Sequence, residues 1–119
     1  MPSFLLVLVA GPGSEVEETR AREAVATAHS LLASGMAEEV EILLSGAGAD
    51  WLGELARQSP VAEPLREAMA AGVVLKVCTR AAVERGGLEG FDAVPEAVAA
   101  GAPTLIASRA QAGWSLLSY

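Results

Sequence analysis

Apolar residues along this chain fall into two patterns. Phe4 to Ala10 is one unbroken apolar run of strand length, and Val40–Leu44 and Val73–Cys78 are similar runs with little alternation. A strand buried on both faces reads this way, as strands of a parallel sheet do. Between the first two runs, Ala21, Ala24, Val25, Ala28, Leu31 and Leu32 recur at helical spacing on one face. The first unit is therefore strand, loop, helix.

Turn and cap residues punctuate the pattern. The first strand ends at Gly11-Pro12-Gly13, and Ser14 with Glu17 has capping-box spacing, with Glu15, Glu17 and Glu18 crowded at the positive end of the helix dipole. Gly35 is placed to end that helix. After the second strand, Ser45-Gly46-Ala47-Gly48 reads as a flexible turn before a short helical piece from Asp50 to Arg57. A further helix starts at Ser59-Pro60 and stops at Gly72. Beyond the third strand, Thr79–Arg85 predicts a short helix closed by Gly86-Gly87. Val94–Ala100 predicts another helix, with Asp92 as its cap and Gly101 as its stop. Pro103–Ala107 and Trp114–Leu117 predict the last two strands, separated by a brief turn or helical segment near Arg109–Ala112.

Strands alternating with helices across short connections imply one α/β unit, a three-layer α/β/α domain over residues 1–119 with a mainly parallel sheet of about five strands. At 119 residues there is no room for a second domain. Hydrophobic residues make up 52% of the chain and charged ones 19%, which excludes disorder. Eight Lys+Arg against fifteen Asp+Glu give a net charge of −7, so nucleic acid is not an expected partner. No apolar run reaches the ~20 residues of a membrane span. The Phe4–Ala10 run has no basic residue before it, the first being Arg20, and reads as a strand of a cytoplasmic protein rather than a signal core.

Chemistry in an open parallel sheet gathers at the carboxyl ends of its strands, which points to the segments Gly11–Ser14, Ser45–Asp50, Cys78–Arg80 and Ser108–Gln111. Cys78 is the only cysteine, so neither an internal disulfide nor a thiolate metal cluster can form, and no metal or cofactor is expected. It ends the third strand immediately before a helix, where free backbone N–H groups favour a thiolate. Thr79, Arg80 and Arg85 surround it, and either arginine could stabilise a sulfur anion. The alternatives are a small buried hydrophobe for Cys78 and an i,i+4 pair with Glu84 for Arg80. Gly11-Pro12-Gly13 is not a dinucleotide turn, because Val16 stands at the third glycine position and glutamates occupy the place of the pyrophosphate. His29, the only histidine, lies in the body of the first helix, where packing is expected. Trp51, Trp114 and Tyr119 are either packed side chains or interface anchors.

The segment Leu75-Lys76-Val77-Cys78-Thr79-Arg80-Ala81-Ala82-Val83-Glu84-Arg85-Gly86 resembles the region around the sulfur-carrying cysteine of the DsrE-like sulfur-relay proteins, the TusD-type branch in particular. The order of the first strand, the Gly11–Ser14 loop, the helix ending at Gly35, the second strand and the Gly72–Cys78 passage agrees with it. The resemblance implies a homotrimer or homohexamer whose Cys78 accepts sulfane sulfur from a donor protein, holds it as a persulfide and passes it to an acceptor. A non-catalytic oligomeric binding module of the same fold is the alternative.

Overall fold

A computed structural model describes the whole chain, Met1–Tyr119. Five strands form one sheet: β1 (Ser3–Leu8), β2 (Glu39–Leu44), β3 (Val74–Cys78), β4 (Val98–Ala100) and β5 (Ser115–Ser118), in the order β4-β3-β2-β1-β5 and parallel throughout. The helices are α1 (Glu15–Ala33), α2 (Trp51–Ala56), α3 (Glu63–Ala70), α4 (Thr79–Glu84), α5 (Gly90–Ala93) and α6 (Ala102–Gln111), with 3-10 turns at Gly46–Asp50 and Pro60–Ala62.

The first unit forms as its caps dictate. Ser14 is extended and its hydroxyl accepts from the Glu17 N–H at 3.2 Å, opening α1. Gly35 takes φ +73°, and the Met36 N–H returns to the Leu31 carbonyl at 3.1 Å to close it. The Ser45–Gly48 stretch is a packed 3-10 turn rather than a flexible one. A Cβ on Gly48 would overlap the Leu8 carbonyl oxygen, and one on Gly11 that of Ala47, so both glycines let this turn lie directly on the end of β1.

Side-chain alternation divides the sheet into two unlike faces. Leu6, Leu8, Val40, Ile42, Leu44, Leu75 and Val77 point to the first. Leu8 lies there against Ala21 and Val25 of α1, Trp51 of α2 and Leu65 of α3. The stepwise connections β1 to β2 to β3 to β4 each move one strand outward, and right-handed crossovers place α1 through α5 on this side. Packing agrees: α1 lies against α3, α2 against α5, and a Cβ on Gly90 would come within 2.7 Å of Leu52. The connection from β4 to β5 runs back across the whole sheet, so α6 alone covers the second face, where its Arg109 meets Glu41. Nine of the ten largest fully buried side chains come from β1, β2 and β3, which locates the core on the central strands.

Two sequence expectations are reversed near the carboxyl end. Val94–Ala100 is not a helix: its last three residues form β4, paired with Lys76–Cys78. Pro103–Ala107 is not a strand but lies inside α6, and Ser108–Gln111 is the end of that helix rather than a strand-end loop. Gly101 is an extended N-cap and Pro103 sits in the first turn, where its missing N–H costs no intrahelical bond. Ala102, Leu105, Ile106 and Arg109 then fall on the inward side at helical spacing. A connection between opposite edges of a parallel sheet needs such a crossover, and this requirement outweighs the apolar run at Leu105-Ile106 that reads locally as a strand.

Candidate functional site

Cys78 is the last residue of β3 and the N-cap of α4, with φ −60° and ψ 117°. Its register partner on β4 is Ala100, and the Thr79 hydroxyl donates to the Ala100 carbonyl at 3.4 Å, tying the two strand ends together. The chain leaving β3 turns to the first face through α4, and the chain leaving β4 turns to the second through α6. The two connections thus diverge at the carboxyl ends of neighbouring strands, the usual place for reacting groups in an open α/β sheet. Neither α4 nor α6 has a side-chain cap at its amino end. First-turn N–H groups of α4 thus lie uncapped by side chains directly after the thiol residue.

Cys78 is buried at 8% exposure, against 0% for Val77 beside it, so the thiol lies at the carboxyl rim of the core. The flanking cations do different work from the one expected. Arg80 is exposed and lies 3.6 Å from Glu84, the i,i+4 alternative. Arg85 makes a two-pronged pair with Asp50, 2.7 Å and 2.8 Å, fastening the end of α4 to the turn after β2. Those hydrogen bonds to Asp50, and then its charge, raise the Arg85 pKa above its ordinary value. Thr79 is exposed and acts through its contact with Ala100.

The neighbouring loops are held as firmly. The Gly11 N–H donates to the Glu17 carboxylate at 2.9 Å, and the Trp51 indole N–H to the Ala10 carbonyl at 3.0 Å, which makes Trp51 a buried core residue and not an interface anchor. His29 is half-buried between α1 and α3, near Pro64 and Glu67, away from the strand ends. No group of three or more His, Cys, Asp or Glu is arranged to hold a metal ion. No helix is long and apolar enough to cross a membrane.

The family model of the DsrE/DsrF-like proteins matches residues 5–119, essentially the whole chain. The chain belongs to the DsrE/DsrF-like family. No curated protein matches it significantly. Among solved structures it is similar to a conserved protein of unknown function, BT1422, from Bacteroides thetaiotaomicron, at 14% identity and TM-score 0.76, covering 98% of this chain and 94% of that one. At that identity the likeness establishes the fold alone. Within this DsrE/DsrF-like chain, sequence reasoning missed Lys76. Strand alternation places it on the same side of β3 as Cys78, and it has no carboxylate within salt-bridge distance. The signal was present in the sequence as the only lysine, two residues before the only cysteine.

Proposed function

We propose that this protein carries sulfane sulfur on Cys78 and hands it to a partner in a reducing, cytoplasmic setting, working as a homotrimer or homohexamer. The observation that carries the reading is the position of the only thiol: the N-cap of α4, at the strand ends where the chains leaving β3 and β4 part, within a DsrE/DsrF-like domain. A sulfur anion there takes the place of the absent side-chain cap and accepts from first-turn N–H groups.

The chemistry is two balanced exchanges. The Cys78 thiolate attacks the outer sulfur of a donor persulfide, the S–S bond of the donor breaks, and the donor leaves as a thiolate while Cys78 becomes a persulfide. An acceptor thiolate then attacks the outer sulfur of Cys78, taking it and returning the Cys78 thiolate. No second cysteine in the chain is required, and no net oxidation occurs. Incubation with a low-molecular-weight persulfide is expected to add the mass of one sulfur to Cys78, with no addition in Cys78→Ser. An unmodified, alkylation-resistant thiol in the folded wild type overturns the proposal.

The 8% exposure of Cys78 favours a second reading, an oligomeric binding module in which the cysteine only packs. In that case Cys78→Ser leaves assembly and partner binding unchanged, and sedimentation and pull-down of wild type and variant separate the two.

A further inference from the structure

Six of the seven arginines are matched to carboxylates: Arg22 with Glu18, Arg57 with Glu54, Arg66 with Glu63, Arg80 with Glu84, Arg85 with Asp50 and Arg109 with Glu41. The arginine and lysine side chains without such a partner are Arg20, exposed on α1, and Lys76, half-buried in β3. Both arginines that follow Cys78 are therefore engaged elsewhere. Lys76 lies two residues before Cys78 and shares its side of the strand, which sets the two Cα atoms about 7 Å apart. That distance is within the reach of a four-carbon ammonium chain.

The second face is open at this place. The chain of α6 starts beyond the carboxyl end of β4 and runs toward the start of β5, so by its last turn it lies over β2, where Arg109 holds Glu41. One strand outward, Val74 is the register partner of Glu41 and is 42% exposed; Val98, the partner of Lys76, is 45% exposed. Lys76, half-buried beside the exposed Val74 and Val98, thus stands on a partly uncovered stretch of β3 that ends at the buried Cys78. The other charged groups around the strip are Glu39 at the start of β2 and Glu96 before β4, both exposed, and the paired Glu41 and Arg109.

Resting on the sulfur-carrying reading of Cys78, we propose that Lys76 is a positioning residue that stabilises the sulfur anion at Cys78, first the thiolate and then the persulfide, from the face that α6 leaves open. A positive charge near the sulfur favours its anionic over its neutral form, and does so less the more water and salt screen it. The competing structural role is cover, since the aliphatic stem of a lysine shields apolar neighbours such as Val74 and Val98. Lys76→Met keeps the stem and removes the charge, and Lys76→Arg keeps both, so the pair separates the roles.

The test measures Cys78 alkylation by iodoacetamide near neutral pH, and sulfur uptake from a low-molecular-weight persulfide, at low and at high salt. Lys76→Met is expected to slow both by about threefold or more at low salt, the effect of one charge at about 7 Å in water, Lys76→Arg to stay near wild type, and the gap to narrow as salt screens the charge. Lys76→Met reacting like wild type, or Lys76→Arg as slow as Lys76→Met, overturns the role of Lys76 while the Cys78 reading stands. A wild-type protein that takes up no sulfur at Cys78 removes both.

Discussion

The two faces of the sheet are built on different principles. Under α1 to α5 the first face is continuous aliphatic packing, with Leu6, Leu8, Ile42, Leu44 and Val77 at 0% exposure. The second face lies under one helix and is held by a charge pair, Arg109 to Glu41 at 2.8 Å and 2.9 Å, with Arg109 also 4.8 Å from the centre of the Trp114 ring. Both faces bury leucine, Leu5 and Leu43 on the second at 0% exposure, but only the second carries a buried charge pair and leaves Val74 and Val98 exposed. Cys78 lies at the carboxyl end of the second face, directly after the sealed Val77, which teaches that this fold places its reactive candidate on the less completely covered side of its sheet.

The largest effects belong to the sealed half. Leu6→Ala is expected to cost about 3–5 kcal/mol in chemical denaturation, since a fully buried leucine leaves a cavity that the β1 neighbours cannot fill. Gly48→Ala brings a Cβ into the Leu8 carbonyl oxygen, and its thermal midpoint should fall by a similar measure. If either variant were as stable as wild type, the contrast between the faces would disappear.

On the second face Arg109→Met leaves the 6%-exposed Glu41 uncompensated, with an expected cost of about 3 kcal/mol by denaturant titration. Exchanging both partners for apolar residues should restore most of that loss, which distinguishes the penalty of a stranded carboxylate from the worth of the pair. The sign of the pH dependence follows from Arg109, whose pKa is raised by its hydrogen bonds to Glu41 against the opposing effect of desolvation. A raised folded pKa gives a contribution that is complete below the ordinary arginine value and lost only above it. Unfolding midpoints measured from about pH 7 to about pH 10 should therefore show no loss from Arg109 titration.

The smallest changes are expected at the rim. Arg80→Ala breaks only a solvent-exposed i,i+4 contact and should alter stability by less than about 0.5 kcal/mol. Its alkylation rate at Cys78 should match wild type, in contrast to Lys76→Met. A slow Arg80→Ala thiol would return Arg80 to the role that the sequence suggested for it.

How much of this was legible in the sequence differs along the chain for physical reasons. The β1–α1 unit follows from local chemistry: an unbroken apolar strand, a serine cap that accepts from Glu17, and a glycine at φ +73°. The β4–α6 segment does not, because the alanines of Val94–Ala100 favour a helix locally and Leu105-Ile106 resembles a strand. Only the demand for a crossover between opposite sheet edges reverses both assignments. Cys78 was legible as a strand-end thiol, whereas the partners of Arg80 and Arg85 were not equally so. Glu84 is four residues from Arg80, but Asp50 is brought to Arg85 across the fold. Lys76 was overlooked because an isolated lysine in a strand carries no motif; its meaning comes from the helix that does not cover it.

The pairing of β5 with β1 joins Phe4 to Ser115 and Leu6 to Leu117. During synthesis the amino-terminal strand therefore keeps one hydrogen-bonding edge vacant until the segment containing Ser115–Ser118 has emerged. That long wait makes the nascent chain dependent on late closure and exposes a sticky leucine-rich ribbon to neighbouring chains in the meantime.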